Sequence, residues 1–234
     1  MSPAEFGVNF FIAMFALIDP IGNVPVFAAA TSGASHAGRR WVALYISLFA
    51  LGFLAFFYFS GVGLLRFFGI SMPAFRIAGG ILLLLLGLEM AREDMTAAFA
   101  DPSDEHEAVD ARGYARRRFE RLVVPFAMPL LIGPGAISAT IIYAGESKGL
   151  GWAGTIAGLA AIAAVAVSTF VTFALTPIIS RVLGRIGMTI IVRLSGLILC
   201  AMAVQFLIVG MNEATHGLFR QNVAVPYAVA PARR

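Results

Sequence analysis

Apolar runs of about 20 residues recur along the whole of this chain, and they leave it one class of solution, a bundle of membrane-crossing helices. Six such spans are expected, at roughly 6–29, 41–61, 72–90, 121–144, 151–177 and 190–210. Composition points the same way. Of 234 residues, 59% are hydrophobic and 13% charged, where a soluble domain carries about 25% charged residues. Mean hydropathy is +0.87. Little is left for a soluble domain, so the expectation is an all-α membrane protein with one transmembrane domain over 1–234.

The charges give an orientation. With six spans, eleven basic residues fall on one side: Arg39, Arg40, Arg92, Arg112, Arg116, Arg117, Arg118, Arg121, Arg181, Arg185 and Arg193. The other side has six: Arg66, Arg76, Lys148, Arg220, Arg233 and Arg234. The positive-inside rule puts the first set in the cytoplasm and both termini outside it, which in a bacterium means a multi-pass inner-membrane protein with periplasmic ends. The excess of arginine has this explanation, and nucleic acid is not expected as a partner. The first run is expected to stay as a membrane segment and not to be a cleaved signal peptide: no positive charge precedes it, and it continues through Asp19 and Pro20. Residues 91–120 hold eight of the thirteen acids and read as a solvated cytoplasmic loop. Residues 211–234 read as a periplasmic tail. The single cysteine, Cys200, allows no internal disulfide and is expected to be a small packing residue.

The third and sixth spans resemble each other. FRIAGGILLLLLGLEM (75–90) aligns with VRLSGLILCAMAVQFL (192–207), so that Arg76 matches Arg193 and Gly79 matches Gly196, both 117 residues apart. The first and fourth spans share a type of interruption: Pro20, Gly22, Asn23 and Pro25 in one, Pro129, Gly133, Pro134 and Gly135 in the other. Two three-helix halves follow, repeat 1 over about 6–90 and repeat 2 over about 121–210. Three is odd, so the halves must insert in opposite senses. That inverted repeat is a frequent plan of secondary transporters, in which segments broken by Gly and Pro mark the substrate site.

The chemistry of the breaks supports this. Proline lacks an amide proton and clashes with the preceding turn. Freed backbone groups cannot face lipid and must line a cavity. A half-helix N-terminus there presents open amides and a partial positive charge that suit a carboxylate. Asp19 adds an acid, which inside a span normally faces the bundle interior. It could hold an ammonium, a sodium ion or a transferable proton. Asn23, four residues on, shares its face if helix persists between them. Amides with a carboxylate nearby suit a zwitterion, and amino acids are the common small ones. The plainer alternative is structural: Asp19 as a helix cap and the Gly and Pro residues as packing and kink devices.

Arg76 and Arg193 form a second candidate pair, as charge partners of Asp19 or of an anion, or simply as side chains reaching to the interface. Glu89, Glu146 and Lys148 read as solvated groups at span ends and in a short loop. His36, His106 and His216 lie outside the spans and are too scattered for a metal site. Gly79, Gly80, Gly87 and Gly196 are expected to allow close helix packing.

DPIGNVPVF in the first span and PLLIGPGAIS in the fourth resemble the paired signatures of the MarC family, small six-span membrane proteins also called the neutral amino-acid transporter family. The resemblance covers nearly the whole chain. It implies a place in the lysine-exporter-like superfamily and a kinship with carriers of glycine, alanine and other small neutral amino acids driven by an ion gradient, although many bacterial members have no settled substrate. It also implies that drug export should not be inferred from the family's name. The positions that carry it are Asp19, Pro20, Gly22, Asn23 and Pro25, with Pro129, Gly133, Pro134 and Gly135.

The leading expectation is a secondary transporter of small neutral amino acids or similar solutes, with no enzymatic activity and no cofactor beyond a coupling Na+ or H+. Its partners would be the solute and the bilayer, and it could form a homo-oligomer. A channel is the first rival, although few polar residues line the spans. A structural or regulatory membrane protein is the second, and it has no evident need for Asp19. A membrane enzyme fits less well, since no histidine lies in a span and one cysteine cannot form a redox pair.

Overall fold

The structure is a computed structural model and describes residues 1–92, 111–123, 127 and 131–215. Pro129, residues 93–110 of the expected loop and residues 216–234 of the tail lie outside the described residues. All regular structure among the described residues is helical. The helices are α1 (Pro3–Ile18), α2 (Val24–Ala30), α3 (His36–Phe67), α4 (Met72–Arg92), α5 (Ala111–Leu122), α6 (Pro134–Ser147), α7 (Gly151–Ala174) and α8 (Thr176–Ala214).

Among the described residues, four helical runs are long and apolar enough to cross a membrane: His36–Phe67, Met72–Arg92, Pro134–Ala174 and Ile186–Ala214. Pro3–Ile18 is apolar but shorter. The departures from six uninterrupted runs have local causes. The first span is divided at Asp19–Asn23 into α1 and the seven-residue α2. The run Pro134–Ala174 is two helices, α6 and α7, joined by a 3-10 turn at Lys148–Leu150 and turning at Gly151, with φ 63°. Gly154 then packs on the Ser147 carbonyl, where an added Cβ would stand 2.6 Å away.

The connection expected after the fifth span is itself helical. Thr176 starts α8, with Pro177 in its first turn, and the helix is interrupted only at Gly184 (φ 62°, ψ −175°). That conformation is one L side chains rarely adopt. Arg181 accordingly lies on a helix and not in a loop. The polar stretch 91–120 also ends in helix: α5 packs on α3, with Ala115, Arg118 and Leu122 buried and Arg112, Arg116, Arg117 and Arg121 more exposed.

Helix ends follow known chemistry. Ser2 caps α1: its hydroxyl accepts from the Glu5 amide (3.2 Å), and the Glu5 carboxylate accepts from the Ser2 amide (2.8 Å). Ser35 caps α3 by accepting from Gly38 N (3.1 Å). The C-terminus of α2 is held by two arginines, which complement the negative end of a helix. Arg39 donates from Nε to Thr31 Oγ1 (3.1 Å) and from Nη2 to the Thr31 carbonyl (3.0 Å). Arg118 donates from Nε to the Ala30 carbonyl (2.6 Å). Arg112 lies over the Trp41 ring at 4.3 Å. Arg118→Ala leaves the Ala30 carbonyl buried without that donor, a cost of about 1–3 kcal/mol. Faster tryptic cleavage at the other α5 arginines is the expected result, and cleavage at the wild-type rate would show that Arg118 does not hold α5.

The core is aromatic and aliphatic. Phe6, Phe10, Met14, Ile18, Phe27, Leu54 and Phe173 are fully buried. Phe10 stacks on Tyr143 (centroids 4.5 Å) and joins α1 to α6, while Phe27 stacks on Phe173 (4.4 Å) and joins α2 to α7. The perimeter carries exposed Phe56, Phe59, Phe67, Val182 and Ile186, as a lipid-facing surface does.

The longest interface joins α4 and α8 and rests on small residues. A Cβ on Gly87 would stand 2.8 Å from both Cys200 Sγ and the Gly196 carbonyl; one on Gly196 would stand 2.7 Å from the Ala91 amide nitrogen. Cys200 is thus a small residue at a close helix crossing. Gly87→Val should lower stability by roughly 1–3 kcal/mol. Gly52→Ala on α3, where nothing lies within 4 Å, should be neutral or stabilising. Melting of the two variants in detergent tests this, and equal melting would deny the interface its tight packing.

Candidate functional site

The first break is organised by Asp19. Its amide donates to the Phe15 carbonyl (2.9 Å) and closes α1. Its backbone is left-handed (φ 43°, ψ 63°), alone among the described non-glycine residues. Pro20 disfavours the α region at the residue before it, and Asp is one of the few residues that visit the left-handed region. The conformation costs on the order of 1–3 kcal/mol, and such strain gathers at functional sites.

Three amides of this break are met within the turn. Asp19 Oδ1 accepts from Gly22 N (3.0 Å), the Asp19 carbonyl from Asn23 N (3.1 Å) and the Ile21 carbonyl from Val24 N (3.1 Å). Pro25 has no amide proton. The open amides that the sequence suggested at Gly22–Asn23 are therefore engaged within the turn. Asn23 is 2% exposed and donates from Nδ2 to the carbonyls of Ile18 and Asp19, both at 3.0 Å. Two buried acceptors are left over with no partner among the described residues, Asp19 Oδ2 and Asn23 Oδ1. The first break thus offers acceptors, which suit a cation or an ammonium.

The second break has the opposite character. Gly133 precedes α6 in extended conformation with no side-chain cap, and Pro134 opens the helix. The first intrahelical bond runs from Ile137 N to the Gly133 carbonyl (3.2 Å), so the Gly135 and Ala136 amides lie ahead of any acceptor in their own helix. The Ser138 hydroxyl in the same turn region is buried and has no partner among the described residues. These are donors, set at the positive end of a fourteen-residue helix.

Each break packs against a different long helix. Gly22 abuts α8: a Cβ there would fall on Ser195 Oγ and on Asp19 Oδ2. Pro134 abuts α4, where a Cβ on Gly79 would stand 3.3 Å from Pro134 Cβ. Leu17, two residues before Asp19, links the breaks, since a Cβ on Gly135 would stand 3.4 Å from Leu17 Cδ2. Asp19, Pro20, Gly22, Asn23 and Pro25 are thus one unit, and Gly133, Pro134 and Gly135 a neighbouring one.

The two arginines matched in sequence part company in the fold. Arg76 is largely buried, with its side chain 11% exposed, and pairs with Glu213 through Nη1 (2.5 Å). Arg193 is exposed on α8. Two residues near the breaks escaped the sequence reading, Ser138 and Ser195, because one serine in an apolar helix gives no signal of the face it occupies.

Residues 4–215 match the MarC family integral membrane proteins. The chain is 38% identical over 212 residues to a UPF0056 membrane protein of Aquifex aeolicus, covering 89% of this chain and 95% of that one. It is 35% identical over 210 residues to one of Methanocaldococcus jannaschii, covering 90% and 98%. It is 33% identical over 210 residues to the UPF0056 membrane protein YhcE of Escherichia coli, covering 90% and 94%. No solved structure matches the chain. The left-handed Asp19 break, the second break at Gly133–Gly135 and the apolar helices around them are features of a multi-pass integral membrane protein, and the chain belongs to the MarC family.

Proposed function

We propose that this protein is a secondary transporter of small neutral amino acids or similar zwitterions in the bacterial inner membrane. It would have six spans in two inverted repeats and both termini in the periplasm. The observation that carries the reading is the division of labour between the breaks. Asp19 Oδ2 and Asn23 Oδ1 are buried acceptors without donors, while the second break has unpartnered Ser138 Oγ and the leading amides of α6. A zwitterion supplies what each lacks, its ammonium to the first and its carboxylate to the second. A buried unmet polar group costs about 1–3 kcal/mol, so a ligand that meets several has a ready source of affinity.

The crossed contacts support the inverted plan. The break of the first half sits on α8 and that of the second half on α4, as a pseudo-twofold axis in the membrane plane requires. In this plan the run Pro134–Ala174 is a hairpin of two spans turning at Gly151. Rocking of one half on the other alternates access, and the larger gradient sets the direction of net flow.

The test is uptake of labelled alanine, glycine, serine and threonine into proteoliposomes, with and without imposed sodium and proton gradients. Saturable uptake of at least one, accelerated by one gradient, is expected. No uptake of any of the four by folded protein would remove the amino-acid assignment.

A further inference from the structure

A cavity of about 360 Å³ lies between α1, α4, α6 and α8, apart from the polar atoms of the two breaks. Its volume is within the about 300–1,000 Å³ typical of small-molecule sites. Its walls are mostly apolar, with Ala16 and Leu17 of α1 and Met202 and Phe206 of α8 among them, yet they carry one group of each charge, Arg76 and Glu146. Arg76 is one turn into α4 and Glu146 is one residue from the end of α6. These two helix ends lie on the side that the arginine distribution makes periplasmic. Leu17 is fourteen residues past the start of α1, about 20 Å at the helical rise of about 1.5 Å per residue. The cavity therefore runs from a charged outer rim to a floor at Leu17, two residues before Asp19 in the chain.

We propose that this cavity is an outer subsite that takes the zwitterion before it reaches the breaks. Arg76 holds the carboxylate, Glu146 the ammonium, and the apolar wall the side chain. The inference rests on the reading of the chain as a carrier of zwitterions. The charges are available for the task. Arg76 uses one of its five N–H donors on Glu213, which fixes the guanidinium in place and leaves donors over. Glu146 is in no ion pair among the described residues. Two opposite charges on one small cavity favour a ligand with both, because a ligand with one charge gains from only one of the two groups. The outer subsite would exclude simple carboxylates and amines from a path whose inner site matches the same pair of charges.

The experiment uses the full-length protein in proteoliposomes with Cys200→Ser and Ala16→Cys, and a charged, membrane-impermeant thiol reagent. A thiol facing lipid at that depth would be inert to such a reagent, and one facing a wet cavity reacts. Rapid alkylation is expected, slowed by L-alanine but not by propionate or propylamine at equal concentration. Glu146→Gln and Arg76→Gln should each raise the alanine needed for half-protection about tenfold. Arg76→Lys, which keeps the charge beside Glu213 if Arg76→Gln fails to fold, should give a smaller rise. An inert thiol at position 16, alkylation that alanine does not slow, or protection unchanged by Glu146→Gln and Arg76→Lys would overturn the proposal. Uptake measured on the same vesicles separates the two readings. Transport without protection removes the outer subsite alone, and protection without transport removes the carrier assignment while the subsite stands.

Discussion

Asp19→Asn is expected to reduce alanine uptake by roughly 100-fold while leaving the fold intact. The substitution is nearly isosteric. Asn keeps an oxygen for Gly22 N, whose bond to Asp19 Oδ1 is 3.0 Å, and it tolerates the left-handed backbone as Asp does. What changes is the second atom. Asp19 Oδ2, a buried acceptor with no partner among the described residues, is replaced by an uncharged amide group. A neutral amide costs less to bury than an unpaired carboxylate, so the melting temperature should hold or rise, while the site loses the charge that an ammonium or coupling cation needs. Removing one side of a buried charged pair costs about 2–5 kcal/mol, and about 2.7 kcal/mol is a hundredfold. Asp19→Ala separates the roles from the other direction. It loses the Gly22 bond as well and should be less stable by about 1–3 kcal/mol, with no further loss of uptake to show. Uptake and melting on the three proteins decide the matter, and wild-type uptake by folded Asp19→Asn would end the role given to the carboxylate.

Gly22→Val should abolish uptake and also lower stability by roughly 1–3 kcal/mol, the usual cost of overpacking. A side chain there has nowhere to go: its Cβ would fall on Ser195 Oγ and on the Asp19 carboxylate together. The clash has two parts with different consequences. Pushing Ser195 away separates the first break from α8, which is a packing cost. Pushing Asp19 Oδ2 away moves the charge, which is a functional one. Gly22→Ala combined with Ser195→Gly removes the first and leaves the second. The double variant should recover much of the stability lost by Gly22→Ala alone and little of its uptake. If uptake returned together with stability, the position of the Asp19 carboxylate would not matter, and Gly22 would be a packing residue only.

The membrane class, the interrupted first span and the close packing at Gly79, Gly80, Gly87 and Gly196 were all legible in the residues; that Gly87 and Gly196 meet each other was not. Each follows from local chemistry. Hydrocarbon admits only backbone that satisfies itself, Asp19-Pro20 cannot continue a helix, and helices without large side chains at a seam approach closely. Residues 111–120 read as part of a polar loop because their charge hides a buried stripe of Ala115 and Arg118, continued by Leu122, that appears only against α3. The helix Thr176–Leu183 went unseen for a similar reason, since its arginine suggested a loop and only Gly184 departs from helical geometry.

Which atoms remain unmet at the breaks was decided by tertiary structure. The residue types at 19–25 allow either an amide cradle or an acceptor pair. The choice came from the turn, where Asp19 and Asn23 consume the local donors and leave their own oxygens unmet. Arg76 and Arg193 make the same point. They are matched in sequence, yet Glu213 and the cavity wall meet one of them, while the other lies exposed on α8. Sequence by itself determined where this backbone must break, because bond geometry and desolvation act within a few residues. Which broken ends come together, and which helix each one packs on, depended on contacts between residues far apart in the chain, such as Leu17 with Gly135 and Gly22 with Ser195.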